Sequence, residues 1–167
     1  MTDPALPDPM VDYRLSALEA VFRRQAEGAR STLPPCNEAL DVERVDFLAL
    51  PAGPQPERLE GALVTPWSIL LVRLPLVRED AAWRVGEARW LTLGHERFEF
   101  VAAHDAMLGT FDVHTLFSPL HDFASQALAV AAARAVLERA RRAPPAVEDG
   151  TGLSSPSRRG FLFGRRG

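Results

Sequence analysis

The sequence contains one cysteine, no lysine and no long hydrophobic run, and each absence excludes a class of protein. With Cys36 alone, the chain cannot form an internal disulfide or a multi-cysteine zinc site, which fits a reducing compartment. No segment approaches the roughly 20 apolar residues that a membrane-spanning helix requires. The first ten residues, MTDPALPDPM, have no basic start and no apolar run, so they do not form a secretory signal. These features predict a cytoplasmic protein.

Charge is unevenly distributed along the chain. All 19 basic residues are arginine, and the formal net charge of −3 argues against a nucleic-acid-binding protein. Subtracting four arginines near the C-terminus lowers the net charge from −3 to −7 for residues 1–157. The sequence therefore predicts an acidic body and a basic tip, which consists of Arg158, Arg159, Arg165 and Arg166.

The length of 167 residues predicts one compact domain. We place this domain at residues 1–142, with residues 1–9 loosely ordered because they contain three prolines. The composition that follows, APPAVEDGTGLSSPS, is typical of a flexible linker, and it leads into RRGFLFGRRG. Residues 143–167 are therefore predicted to be a linker and a basic tail.

Hydrophobic periodicity predicts the first elements. Between Pro9 and Gly28 the apolar residues recur at helical spacing, at Val11, Leu15, Leu18, Val21 and Phe22. A strand is predicted from Leu40 to Leu50. Between Pro66 and Pro75 both faces are apolar, which indicates a strand near the sheet centre. In this strand, Trp67, Ile69 and Leu71 point one way and Leu70, Val72 and Leu74 the other.

The second half of the chain predicts a hairpin, a strand and a helix. The hairpin covers residues 90–101 with its turn at Gly94-His95. A further strand is predicted at residues 110–117, and we expect its core-facing residues to be Phe111, Val113, Thr115 and Phe117. Ser118-Pro119 is a signal for the start of a helix. The apolar stripe of this helix is predicted to consist of Leu120, Phe123, Ala124, Ala127, Ala131 and Ala135. We expect this helix to be the longest and to leave the body from Glu138 onward.

These elements predict an α+β fold. It consists of a mainly antiparallel sheet of about five strands, packed by an N-terminal helix and a long C-terminal helix.

Catalytic, metal and cofactor sites are not indicated. The four histidines lie in a turn, a loop, a strand and a helix start, without the spacing of a zinc site: His95, His104, His114 and His121. Asp112 shares a strand face with His114, although surface pairs of this kind are usually solvated. Cys36 has no nearby base, and no glycine-rich phosphate loop is present. We therefore expect a protein that is not an enzyme.

Two features are better explained as binding sites. Trp67 starts the predicted central strand, where it serves either as a core residue or as an anchor for a partner. The segment RRGFLFGRR alternates arginine pairs with an apolar patch, so it is either a partner-binding segment or a solvated end.

Several pieces of the chain resemble the HybE/HupJ family of [NiFe]-hydrogenase assembly chaperones. They run in family order as PCNEALDVERVDF, GALVTPW, RFEFV, LGTFDVHTLFSPLHDFA and RRGFLFGRRG. The resemblance implies a cytoplasmic accessory protein that binds the precursor of the hydrogenase small subunit, with its twin-arginine signal, before export. The large subunit and other maturation proteins are further candidate partners. Relatives often carry cysteine near His114 and Thr115, so the resemblance supports no thiol function there.

The resemblance also implies partner-binding residues. Pro66 and Trp67 match TPW, and Phe117, Ser118 and Pro119 match LFSP. The family's terminal segment is matched by Arg158, Arg159, Phe161 and Leu162.

The main alternative function is a redox or metal-delivery factor that uses Cys36 with histidines. Iron or nickel that co-purifies stoichiometrically and is lost in Cys36→Ala would favour it. An enzyme acting on a cofactor precursor is a third hypothesis, for which the sequence offers no residues.

Overall fold

The computed structural model describes residues 8–29 and 36–145, and within them two helices pack on one six-stranded sheet. The elements in chain order are α1 (Pro9–Ala29), β1 (Glu43–Leu50), β2 (Arg58–Val64), β3 (Ile69–Pro75), a short 3₁₀ helix (Ala82–Arg84), β4 (Ala88–Leu93), β5 (Glu96–Asp105), β6 (Gly109–Phe117) and α2 (Gln126–Arg141). The strand order is β1-β2-β3-β6-β5-β4, with all neighbours antiparallel. The predicted α+β fold is confirmed, with six strands instead of about five.

The central strand β3 separates two apolar cores, as its two-sided pattern predicts. Leu70, Val72 and Leu74 pack in the core that contains α1. Ile69 and Leu71 pack in the core that contains α2. The two helices therefore lie on opposite sides of the sheet, which we call the α1 face and the α2 face.

Helix α1 forms where its apolar stripe predicts it. Leu15, Leu18, Val21 and Phe22 are buried, and the Asp8 carboxylate accepts a hydrogen bond from the Met10 amide at 2.9 Å, which satisfies a donor of the first turn. Arg14 fixes the same end of α1 to the sheet, because its guanidinium donates to the carbonyls of Pro75 and Leu108 at 2.8 and 3.0 Å. Burial lowers the pKa of Arg14.

The second helix begins seven residues later than predicted. It starts at Gln126, and the Ser125 hydroxyl accepts from the Leu128 amide at 3.3 Å, so Ser125 is the N-cap instead of Ser118. Its 16 residues make it shorter than the 21 of α1. The predicted stripe is also wrong: Ala131 and Ala135 are exposed, and the buried residues are Ala129, Ala133, Leu137 and Ala140.

The C-terminal end of α2 is docked on the sheet, contrary to the prediction that it leaves the body. The Ala140 carbonyl accepts a hydrogen bond from the His95 amide at 2.6 Å. Arg141 donates to the carbonyls of Asp46 at 2.8 Å and Glu60 at 2.9 Å. Burial lowers the pKa of Arg141. These contacts join the last turn of α2 to β1, β2 and the β4–β5 turn.

Strand β1 begins at Glu43, not at Leu40, and contains a bulge between Val45 and Leu48. The bulge leaves no room for a side chain on the facing strand, since a Cβ atom at Gly61 would lie 2.5 Å from the ring of Phe47. The predicted hairpin is confirmed, because β4 and β5 meet at the two-residue turn Gly94-His95.

Neither helix in the described ranges has the length and apolarity that crossing a membrane requires. The predicted domain limits stay a prediction, because most of the proposed tail and residues 1–7 lie outside the described residues.

Candidate functional site

Three connections meet at one end of the sheet. They are residues 36–42 before β1, residues 65–68 between β2 and β3, and residues 118–125 between β6 and α2. We call these residues, together with Phe117 at the end of β6, the loop cluster. The cluster contains the sequence pieces CNEALDV, TPW and FSPLHDFA, which are separated along the chain and adjacent in the fold.

The β2–β3 turn is closed by the side chain of Thr65, which is fully buried. Its hydroxyl donates to the Ser68 carbonyl at 2.7 Å and accepts from the Ser68 amide at 3.0 Å. The Thr65 amide also donates to the Ser68 carbonyl at 2.9 Å. This set of bonds replaces the strand ladder at Pro66 and Trp67, so these two residues lie in a turn and not inside a strand.

Asn37 connects all three loops. Its backbone amide donates to the Pro66 carbonyl at 2.8 Å. Its side-chain amide donates to the carbonyls of Leu120 at 2.9 Å and Phe123 at 2.8 Å. Its side-chain oxygen accepts from the Ala39 amide at 3.0 Å. Sequence reasoning did not select Asn37, although the piece PCNEAL was available as the signal.

Trp67 packs against the α1 face, so the prediction that it shares a face with Ile69 and Leu71 is wrong. The turn at residues 65–68 breaks the strand alternation before β3 begins. The Trp67 side chain is half-buried, and its carbonyl accepts a hydrogen bond from the Ser118 hydroxyl at 3.3 Å. Ser118 therefore links two loops instead of capping a helix.

Phe117 is 36% exposed, so its predicted place in the core is wrong. The register between β3 and β6 shifts near the end of both strands, where Phe117 pairs with Ile69 while Thr115 pairs with Leu70. This irregularity turns Phe117 to the α2 face, where its ring lies edge-on to Phe123 at 5.7 Å. Thr115 is also exposed, and only the first half of the predicted β6 stripe lies in the core.

The structure brings together five of the predicted partner-binding residues. Pro66 is buried and Trp67 is half-buried, whereas Phe117, Ser118 and Pro119 are exposed. The peptide bond between Ser118 and Pro119 is cis. The other four predicted residues lie outside the described residues: Arg158, Arg159, Phe161 and Leu162.

The loop cluster is acidic. Three exposed carboxylate residues lie in it, Glu38, Asp41 and Asp122, and its own sequence contains no arginine. An arginine of α1 contacts the edge of the cluster, where the Arg23 guanidinium donates to the Val42 carbonyl at 3.5 Å. The cluster can therefore bind a segment that carries positive charge beside apolar side chains.

No group of three metal-ligating side chains is arranged to hold an ion within residues 8–29 and 36–145. Cys36 is half-buried at the start of the loop cluster. His114 contacts the Glu99 carbonyl at 2.8 Å. Asp112 pairs with Arg89 at 2.8 Å, so Asp112 and His114 both contact other strands, and neither is simply solvated as the sequence had favoured.

Comparisons with known proteins give the family. A family model described as [NiFe]-hydrogenase assembly, chaperone, HybE matches residues 13–164. Protein HoxT of Cupriavidus necator is 36% identical over 161 residues, which cover 92% of this chain and 89% of that protein. The hydrogenase expression/formation protein HupJ of Bradyrhizobium diazoefficiens is 32% identical over 157 residues, which cover 88% of this chain and 85% of that protein.

A solved structure has the same fold. The solution structure of HybE from Escherichia coli matches with a TM-score of 0.56 at 21% sequence identity, over 92% of this chain and 91% of that one. The family match and the relatives confirm the resemblance found in the sequence. The chain belongs to the HybE family of [NiFe]-hydrogenase assembly chaperones.

Proposed function

We propose that the protein binds the precursor of a [NiFe]-hydrogenase small subunit in the cytoplasm, and that it recognises the twin-arginine signal before export. It acts by binding and release, without catalysis. The observation that carries this proposal is the loop cluster, where three family motifs form one exposed surface that is both acidic and apolar. A twin-arginine signal has the complementary composition, with a pair of guanidinium groups followed by apolar residues.

The loop cluster is preorganised for a partner. Asn37, Thr65 and Ser118 hold the three loops through hydrogen bonds to backbone atoms. A surface that is already ordered loses little conformational entropy when it binds, and this raises its affinity. Phe117 supplies the kind of aromatic anchor that dominates binding energy at interfaces.

The three carboxylates of the loop cluster can pair with guanidinium groups. Glu38, Asp41 and Asp122 are exposed, so each pair alone contributes little to affinity, on the order of 0–1 kcal/mol. Their sum gives selectivity for a basic segment, and the apolar contact at Phe117 adds a contribution of similar size. Such an interface is weak enough for the client to be released.

The first prediction tests the surface. Replacing Phe117 by alanine is expected to weaken binding of the small-subunit precursor about tenfold, or about 1.4 kcal/mol. The free energy of unfolding is expected to fall by less than the about 3–5 kcal/mol of a buried phenylalanine, because Phe117 is 36% exposed. Calorimetry with the purified precursor measures the affinity, and denaturant titration measures the stability.

Tyr13→Ala is the matched control. Tyr13 is an exposed aromatic residue, and its neighbour Arg14 contacts Pro75, at the end of β3 that lies farthest from the loop cluster. This variant is expected to bind the precursor like the original protein. If Phe117→Ala and Tyr13→Ala bind equally well, the loop cluster is not the client site.

A second proposal concerns the C-terminal segment. Its residues Arg158, Arg159, Phe161 and Leu162 have the same chemistry as the proposed client signal, namely two arginines followed by apolar side chains. We propose that this segment imitates the signal and competes for the client's site. A tethered competitor acts at an effective concentration on the order of millimolar. A client must then displace it, which would reset the chaperone after each release.

Truncation after Ser157 is therefore expected to strengthen the binding of a twin-arginine signal peptide severalfold. The double variant Arg158→Ala with Arg159→Ala should give part of this gain, because it removes the charges and leaves the apolar residues. Fluorescence anisotropy of a labelled peptide measures both. Unchanged affinity would refute the imitation, and weaker binding would show that the segment belongs to the client site.

A further inference from the structure

A cavity of about 240 Å³ lies at the opposite end of the sheet from the loop cluster. Its floor is the α2 face of strands β2, β3, β6 and β4, and its walls are the β1–β2 loop and the connection from β3 to β4. Its lining is rich in guanidinium groups, contributed by Arg58, Arg73, Arg84 and Arg89.

A row of alternating charges crosses the floor of this cavity. Glu60 on β2 is opposite Arg73 on β3, and Arg73 is opposite Asp112 on β6. Both Arg58 and Arg73 donate to the same Glu60 oxygen, at 2.6 and 2.8 Å.

At the other end of the row the next strand is β5, which carries the small residue Ala102 opposite Asp112. Arg89 reaches Asp112 from β4 with contacts of 2.8 and 3.0 Å to its two oxygens. The row therefore spans five neighbouring strands.

This row is not explained by stability. Glu60 is 3% exposed and Arg73 is 5% exposed. Removing two charges from water costs several kcal/mol per ion, and apolar residues of similar size at such positions are often as stable or more stable. The same face of the sheet also carries the apolar core under α2. A charged row on the floor of a cavity is therefore a candidate binding site.

The polar atoms that remain without a partner are donors. In the part of the chain that the structure describes, Arg84 and Arg89 each have a buried Nε atom without a hydrogen-bond partner, and both residues line this cavity. Arg84 also has no carboxylate partner among the described ion pairs. The buried carboxylate of Glu60 and the half-buried carboxylate of Asp112 are already paired with guanidinium groups. A ligand that completes these contacts must supply acceptors.

We propose that this cavity binds an oxyanion, a phosphate or a carboxylate group, between Arg84 and Arg89. Planar guanidinium groups bind such groups with paired hydrogen bonds. Two further carboxylate residues line the walls, Glu57, which is exposed, and Glu79, which is half-buried. They offset part of the positive charge and repel an anion from the walls, so the place left for an anion is between the two arginines. This site is separate from the loop cluster and does not depend on the proposed client.

The test is calorimetry on the full chain with two probes at matched ionic strength. One probe is inorganic phosphate, and the other is a tripeptide with a free C-terminal carboxylate, compared with its amide. At least one probe is expected to bind with a dissociation constant in the millimolar range or tighter. Arg84→Gln should weaken that binding about tenfold, because it removes a charge-assisted hydrogen bond. Arg139→Gln is the matched control, since Arg139 is exposed and pairs with Glu96 outside the cavity.

The two probes identify the source of the anion. Binding of phosphate indicates a free anion, whereas binding of the tripeptide acid but not its amide indicates the end of a polypeptide. Either result supports the site if Arg84→Gln weakens binding of the probe and Arg139→Gln does not. The proposal is overturned if neither probe binds, or if both variants weaken binding equally, which would indicate attraction by overall charge.

Discussion

Replacing Glu60 by glutamine is expected to lower the free energy of unfolding by about 3–5 kcal/mol. One Glu60 oxygen accepts hydrogen bonds from both Arg58 and Arg73, and Arg73 is 5% exposed. The glutamine variant keeps the size of the side chain but removes its charge. Arg73 then remains as a buried cation whose other side-chain contacts are the neutral amide of Gln55 and the ring of Phe100. Denaturant titration monitored by circular dichroism measures the loss.

Two further variants distinguish this explanation from a loss of packing. Glu96→Gln removes an exposed ion pair with Arg139 and is expected to cost no more than about 1 kcal/mol. The double variant Glu60→Leu with Arg73→Leu is expected to be more stable than Glu60→Gln, because no buried charge is left without its partner. A double variant that is less stable than the single one would show that shape, and not charge, decides the cost at this position.

Some elements could be predicted because their signals are local. Helix α1 follows the spacing of its own apolar residues, and the β4–β5 hairpin follows from a two-residue turn, Gly94-His95, between alternating strands. The two-sided apolar pattern of β3 correctly indicated a central strand. Each of these features depends on residues a few positions apart.

Other elements depend on contacts between distant parts of the chain. Ser118-Pro119 is a valid local start signal, but the carbonyls of Leu120 and Phe123 accept hydrogen bonds from Asn37, more than 80 residues earlier. The helix therefore begins only at Gln126. The exposure of Phe117 follows from a register shift between β3 and β6, which the alternation within β6 alone does not reveal.

The charged row was missed although the sequence contained a signal. Arg73 interrupts an otherwise apolar strand, ILLVRLP, and a charge inside a strand that is covered on both faces requires a partner. The identity of that partner depends on strand register and order, which place Glu60 and Asp112 on either side of Arg73. The loop cluster was partly predicted. The family motifs identified its residues, but the sequence did not show that these residues lie next to each other in the fold.

The second large effect is expected in the affinity of the chaperone for the small-subunit precursor and for its processed form. The precursor carries the arginine pair and the apolar segment that the loop cluster would bind, and the processed form lacks both. Two charge-assisted contacts together with an apolar contact are expected to contribute about 2.8 kcal/mol, or roughly 100-fold in affinity. Higher salt should reduce this difference, because exposed charge pairs are screened.

Calorimetric titration of the full chain with both forms of the small subunit, in the same buffer, tests the central proposal most directly. The precursor is expected to bind roughly 100-fold more tightly than the processed form. Phe117→Ala should reduce this preference to about tenfold, and Tyr13→Ala should leave it unchanged. Equal affinities for the precursor and the processed form would contradict recognition of the signal.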